Sequence, residues 1–401
     1  MILPGRAGTY IESGDGVRTF HPAPLPPDPP IEMRPELQLA LSTADRALAR
    51  LDGATSILPN PDMFVYAFMR QEAVLSSQIE GTQASLEDVL EFEAGPDGRP
   101  RTDDLTEIVN YLNAMRWGLD QLPTLPVSLR LIKSLHAILL AEGRGAERAP
   151  GNFRSNQNWI GPPGCTIQEA TYVPPPVPDM MAALHQWELF LHQAEDIPPL
   201  IKCALAHAQF ETIHPFWDGN GRLGRMIVTF LLCSEEILAS PVLYLSLYFR
   251  QFRERYYHLL QATRDDGNWE DWIIFFLRGV TATSKSALIS AQKITRLHEE
   301  LRERAPQISA SSHAGSLIEQ LFKRPYVDIN LAARMINTTY PTASTLVRRF
   351  EAAGVLTPIN DARRNRIYAF RPYLDILHEA TDELTGVIEG DDYLASQAEQ
   401  P

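Results

Sequence analysis

From Pro35 onward the apolar residues recur with a helical period, not that of a strand. Leu37, Leu39, Leu41, Ala44, Leu48 and Leu51 approximate the apolar stripe of an amphipathic helix. Similar patterning predicts helices over about Asp62–Gln78, Ser85–Phe92, Leu105–Leu122 and Val127–Leu140. Ser85, with Asp88 three residues on, marks the start of the second of these. Gly143–Asn158 reads as loop. In Trp159–Val173, GPPGCT lies between two short β-like runs, flanked by Ile160 and by Ile167, Tyr172 and Val173. That is a hairpin pattern, ended by Pro174–Pro176. Helices resume over Asp179–His192, Pro198–Ile213, Leu247–Arg264 and Trp269 to about Arg304. The composition breaks at PQISASSH, Pro306–His313, and shorter helices with a strand pair follow.

The arm before residue 33 is different. HPAPLPPDPP, His21–Pro30, excludes helix and central strand, because proline lacks an N–H and fixes φ. It is either a disordered tail or an extended arm anchored by Tyr10, Phe20 and Leu25. Composition narrows the class of protein. A hydrophobic fraction of 44% over 401 residues supplies ample core for two or three domains. A formal charge of −14 argues against a chain that coats nucleic acid or anionic membrane as a whole. Cys165, Cys203 and Cys233 have no metal-ligand or disulfide-framework spacing. No signal-peptide pattern opens the chain, and no window approaches 18 consecutive apolar residues. A cytoplasmic protein with no membrane partner is the expectation.

The densest chemistry lies in HPFWDGNGRLGR, His214–Arg225, directly after an apolar helical run. Gly219 and Gly221 let backbone N–H groups converge on one concavity at a helix start, which suits phosphates. Arg222 and Arg225, three apart on one helix face, can reach the same anion. Asn220 can donate to a phosphate oxygen, and Leu223 and Gly224 are expected beside it among the nucleotide-binding positions. Asp218 is a hard oxygen ligand of the kind that holds Mg²⁺ together with substrate phosphates. His214 can take a proton from an attacking hydroxyl. The set fits in-line phosphoryl transfer. The bland alternative is a glycine-containing loop between core helices, with surface arginines and a satisfied histidine.

The run resembles the signature of the Fic family, HPFx(D/E)GNGRxxR, at every specified position. The resemblance implies transfer of AMP from ATP to a Ser, Thr or Tyr hydroxyl of a protein, the chain itself included. It implies His214 as general base, Asp218 as the Mg²⁺ ligand, and Arg222 and Arg225 on the nucleotide's phosphates. SSQIEGT resembles the family's inhibitory pattern (S/T)xxxE(G/N) through Ser76, Glu80 and Gly81. It implies a glutamate that pairs with Arg225 and occupies the γ-phosphate seat. The Trp159–Val173 segment resembles the family's flap, which pairs with an extended target segment by strand addition, with Ile167, Tyr172 and Val173 as docking residues. Tyr256, with Tyr257 and Arg264, matches positions that approach the nucleoside. A hydrolase that removes AMP is the second enzymatic reading.

Residues from about Ser316 to Tyr373 resemble a winged helix, with Asp328–Ile336 as first helix and Pro341–Ala353 as recognition helix. The stretch is basic within an acidic chain, so DNA is a candidate partner. Thr342, Ser344, Arg348, Arg349, Arg363 and Arg364 are the candidate contacts; a protein-interaction module is the competing reading. A regulator with a nucleotide-sensing core is the reading from another class. The expected fold is mainly α, with a β-hairpin flap and a C-terminal α+β winged helix. The expected units are an arm and helical region over 1–110, a catalytic core over 111–305, the winged helix over 306–375 and a tail over 376–401. A homodimer is compatible with the sequence.

Overall fold

The computed structural model describes residues 5–13, 16–56, 61–94, 100, 102–194, 196–359 and 366–379. The arm is packed, and it contains a hairpin that the proline-rich sequence hides. Strands β1 (Gly8–Glu12) and β2 (Arg18–Pro22) pair antiparallel, with Tyr10 opposite Phe20. Phe20 is fully buried, and its N–H donates to the Val173 carbonyl at 2.9 Å. Buried Arg6 fixes the arm's base. It forks onto both carboxylate oxygens of Glu270 at 2.8 and 2.9 Å and donates to the Pro29 and Pro30 carbonyls. This bidentate geometry is the strong form of the ion pair.

Among the described residues ten α-helices precede the long one that closes the core, and the first nine are α1 (Pro35–Ser56), α2 (Asp62–Ile79), α3 (Leu86–Ala94), α4 (Asp103–Gln121), α5 (Leu129–Leu139), α6 (Val177–Gln193), α7 (Pro199–Ile213), α8 (Asn220–Ser234) and α9 (Ser246–Gln251). Local signals set their ends. Thr102 and Ser128 cap α4 and α5 by accepting from Leu105 and Leu131 N–H, and Ser85 and Asp88 bond reciprocally at the start of α3. Helix α7 is buried on every side from Leu200 to Ile213. A helix without a solvent face sits at the centre of a domain, and α6, α8, α10 (Arg253–Asp266) and α11 (Trp269–Ile308) surround it. The single helix expected over Leu247–Arg264 is two, α9 and α10, broken at Phe252. Helix α11 is long and apolar enough to cross a membrane, but 67% of its most apolar stretch is buried against α1 and the core.

Past α11 the order is α12 (His313–Lys323), β3 (Tyr326–Val327), α13 (Ile329–Met335), α14 (Tyr340–Ala352), β4 (Thr357–Pro358) and β5 (Tyr368–Ala369). The three strands form an antiparallel sheet in the order β3-β5-β4. Asp328 caps α13 at the Leu331 N–H, and Gly354, at φ +73°, turns the chain out of α14. This unit leans on α2. Arg70 Nη2 donates to the Lys323 carbonyl at 3.3 Å and Gln71 Nε2 to the Leu377 carbonyl at 2.9 Å.

The Trp159–Val173 segment corrects the hairpin expectation. Its two arms meet in a single bridge, Ile160 with Tyr172, and no ladder forms. Pro162 and Pro163 follow Gly161 and offer no N–H for a second rung. On the other arm, Thr166 and Glu169 close a capping box that draws Ile167–Glu169 into a 3₁₀ turn.

Candidate functional site

Helix α7 ends at His214, which holds a left-handed backbone at φ 48° and ψ 61°. A non-glycine residue there costs roughly 1–3 kcal/mol and persists only when its neighbours enforce it. They do. Arg154 Nε donates to the His214 carbonyl at 3.1 Å and the Arg154 N–H to the Pro215 carbonyl at 2.9 Å. Asn158 Nδ2 donates to the Phe216 carbonyl at 2.9 Å. Asn220 clasps the same residue from the other side. Its Oδ1 accepts from Phe216 N–H and its Nδ2 donates to Phe216 O, both at 2.9 Å. Phe216 itself is fully buried and stacks on His136 with ring centroids 3.7 Å apart.

His136 supports the acidic residue of the turn. Its Nδ1 accepts from Gly151 N–H at 2.8 Å, so the neutral ring carries its proton on Nε2 and donates to the Asp218 carbonyl at 3.0 Å. Burial pushes the His136 pKa down to about 4, which keeps that tautomer neutral. The Asp218 carboxylate accepts from Gly219 N–H through Oδ1 and remains 44% exposed.

The His214 ring is also neutral at pH 7. Burial lowers its pKa to about 4, the Arg154 charge adds to this, Glu80 opposes it, and Arg264 lowers it again. A neutral imidazole at the end of α7 is in the form that accepts a proton.

Two arginines from α8 face the turn. Arg225 is buried and donates through Nε to Ser76 Oγ at 2.9 Å, and through Nη2 to the Ser76 carbonyl at 2.8 Å and to Glu80 Oε1 at 2.7 Å. Its Nη1 is buried without a hydrogen-bond partner. Arg222 donates to Glu107 Oε2 at 3.2 Å and to Asp218 Oδ1 at 3.4 Å, and its Nε is likewise unpartnered. Buried guanidinium donors of this kind suit an anionic ligand. Burial raises the Glu80 carboxyl pKa, but Arg225, then Arg222 and His214, outweigh it and hold it below the usual range. Glu80 nonetheless keeps 36% of its side chain exposed, so it lies across the mouth of the site. A Cβ on Gly221 would come within 2.3 Å of Glu80 Oε1 and displace that carboxylate, while Gly219, at φ +76°, is needed for the turn.

Some expected site residues stand elsewhere. The amide of Asn220 is fully engaged by Phe216, so it braces the loop and is not free to donate to a phosphate. Leu223 is core, and Gly224 lets α7 approach, since a Cβ would come within 2.5 Å of Glu211 Oε1. Tyr256 is fully buried and its hydroxyl bonds His207 Nε2 at 2.8 Å, which withdraws it from any nucleoside. Its neighbour Tyr257 is 38% exposed. In the flap, Tyr172 is buried with its hydroxyl on the Thr212 carbonyl, and Val173 is buried behind β2. Ile167 is half-buried in the 3₁₀ turn, and the exposed apolar side chains are Trp159 and Ile160. On α14, Thr342, Arg348 and Arg349 are exposed and Ser344 is half-buried; Arg349 also donates to Ser309 Oγ at 3.1 Å. Arg363 and Arg364 lie outside the described residues.

No motif in the sequence points to Glu107. It is buried on α4 and accepts from Arg222, Arg144 and Thr82, so it anchors one arginine of the turn. Glu211 is a second buried carboxyl. Burial pushes its pKa up to about 7, against the pull of Arg225 and with a push from Glu80. For a divalent cation the donor set is one partly exposed carboxylate, Asp218, and the described residues hold no cluster of three metal-ligating side chains. That fits Mg²⁺ carried mainly by substrate phosphates and not a closed protein cage.

Residues 38–120 match the Fic/DOC family N-terminal profile and residues 126–232 the Fic/DOC family profile. The protein adenylyltransferase Fic of Drosophila virilis is 27% identical over 289 residues, 71% of this chain and 54% of the relative. That of Drosophila mojavensis is 30% identical over 225 residues, 55% of this chain and 41% of the relative. The chain thus spans about half the length of the curated relatives it matches. A solved Fic family protein from Desulfovibrio desulfuricans superposes with a TM-score of 0.54 at 17% identity, over 85% of this chain and 97% of that one. The chain carries a Fic N-terminal domain and a Fic domain.

Proposed function

We propose, on the premise of that Fic domain, that the chain is a protein adenylyltransferase held in check by Glu80. The attacking oxygen is a Ser, Thr or Tyr hydroxyl of a target protein or of the chain itself. It bonds to the α-phosphorus of ATP, the bond to the β-phosphate's bridging oxygen breaks, and pyrophosphate leaves. His214 takes the hydroxyl proton. Arg222 and Arg225 neutralise the phosphates, with the N–H groups at the start of α8 beneath them. Asp218 would hold Mg²⁺, which supplies charge neutralisation on the phosphates. Glu80 occupies Arg225 and opposes the anionic nucleotide. The observation that carries this reading is the pairing of Arg225 with Ser76 and Glu80 at a turn that also presents a neutral His214. Incubation with ATP, GTP, UTP and CTP separately, then mass spectrometry of the protein and of a lysate, tests it. AMP on protein supports it; no nucleotide adduct with any of the four contradicts it.

The C-terminal unit is, in the same reading, a winged helix that binds DNA through α14, in a cytoplasmic protein. Its support is the helix and strand order and the exposure of Thr342 and Arg348. A gel shift at two salt concentrations decides, because phosphate contacts weaken steeply with salt.

A further inference from the structure

Glu72, Ser76 and Glu80 follow one another along α2 and its end at intervals of four, so they form one stripe on the helix. Ser76 and Glu80 both hold Arg225. Glu72 lies one turn behind them and is buried. Its Oε2 accepts from Ser246 N–H at 3.1 Å, and its Oε1 accepts from the Ser246 hydroxyl. The fully buried Tyr111 hydroxyl donates to the same Oε1 at 3.4 Å. One carboxylate thus ties α2 to α4 and to α9. Burial pushes the Glu72 pKa up to about 7; the bonds from Ser246 pull it back, and the Arg225 charge pulls it further. A buried carboxylate is a costly way to join three helices, and a nearby buried arginine offsets part of that cost.

The grip on Arg225 has two unlike halves. Glu80 is 36% exposed and sits past the end of α2, where it can swing away. Ser76 is fully buried and holds Arg225 partly through its backbone carbonyl, which cannot move unless α2 moves. Once Glu80 is gone, the direction of the guanidinium depends on where α2 holds Ser76. We propose that Glu72 is a positioning residue for the transfer reaction: bound to Ser246 and Tyr111, it fixes α2, and through Ser76 it keeps Arg225 aimed at the nucleotide's phosphates after Glu80 has left. This inference rests on the reading of Arg225 as a phosphate ligand.

The test is equilibrium ATP binding and steady-state transfer by the full chain, with every protein carrying Glu80→Gly. To that background are added Glu72→Gln, Arg225→Gln, or both. Glu72→Gln keeps the size of the side chain but turns an amide NH₂ toward donors. It should raise Kd and KM for ATP by about 10-fold and leave kcat within about 3-fold. Arg225→Gln should weaken ATP binding further, and adding Glu72→Gln to it should change nothing more, because Glu72 acts through Arg225. A Glu72 that only knits helices would lower Tm and kcat with KM unchanged, or would add its effect in full to that of Arg225→Gln; either result overturns the proposal. If Glu72→Gln folds poorly, Ser246→Ala, which removes one of the bonds to Glu72, takes its place, and full ATP affinity in that variant overturns the proposal equally. Should Arg225→Gln weaken ATP binding while Glu72→Gln does not, this inference alone falls. Should Arg225→Gln itself leave ATP binding unchanged, the phosphate role of Arg225 falls and this inference with it.

Discussion

Arg225 and Glu80 lie 145 residues apart in the chain and meet at 2.7 Å, Nη2 to Oε1, at the mouth of the α7–α8 turn. Ser76, one helical turn before Glu80, takes Nε and a second bond from Nη2 of the same guanidinium. The arginine that faces the phosphate concavity is thereby committed to α2. Replacing Glu80 by glutamine keeps the shape and removes the charge. ATP affinity, measured by equilibrium binding, should then rise about 10-fold or more, because charge-assisted contacts are worth roughly 1.5–3 kcal/mol. Unchanged affinity means that Glu80 does not compete with the nucleotide.

The His214 pKa of about 4 fixes the shape of the pH profile. The neutral ring is the base, so activity falls as pH drops through the pKa of the free enzyme, not through the ordinary histidine value. With Glu80 replaced by glycine, kcat/KM should stay level from about pH 8 to pH 6. Loss of Glu80 also removes a charge that raises the pKa, which moves the acid limb further down. An acid limb centred near 6.5 contradicts the buried, neutral ring.

Helices α1 and α2 could be read from the sequence because periodicity is local, and the signature could be read because it is contiguous. The supports of the turn could not. Glu107, His136, Arg154 and Asn158 are scattered over three stretches and gain meaning only where the folded chain brings them to Arg222, Asp218, His214 and Phe216. The β1–β2 hairpin is hidden by prolines that begin where its second strand ends. Tyr256 misleads because successive residues on a helix point about 100° apart: the buried tyrosine is turned to His207, while its neighbour Tyr257 is exposed.

Asn220 offers a test of loop bracing apart from phosphate binding. Asn220→Ala leaves the N–H of buried Phe216 without its partner and its carbonyl with Asn158 alone, and should cost about 1–3 kcal/mol of stability. Chemical denaturation would show it in the absence of any nucleotide. A variant as stable as the parent would return Asn220 to the role of a phosphate donor.

Glu211 links stability to pH. Its folded pKa of about 7 lies above the ordinary carboxylate value near 4.5, so the folded chain binds more protons than the unfolded one between those limits. Stability from this group is therefore lost as pH rises from about 4.5 to 7. Glu211→Gln should raise Tm more at pH 8 than at pH 5. An equal change at both pH values means that Glu211 is ionised throughout.

The most direct measurement is transfer of radiolabel from ATP carrying it on the α- or on the γ-phosphate. It is run with the parent, Glu80→Gly, and Glu80→Gly with His214→Ala. Label should enter protein from the α-phosphate only. It should be weak in the parent, stronger once Glu80 is gone, and lower by about 10²–10⁴-fold when His214 is also removed. EDTA should abolish it. Label from the γ-phosphate, a Glu80→Gly protein less active than the parent, or a double variant as active as Glu80→Gly would contradict the account.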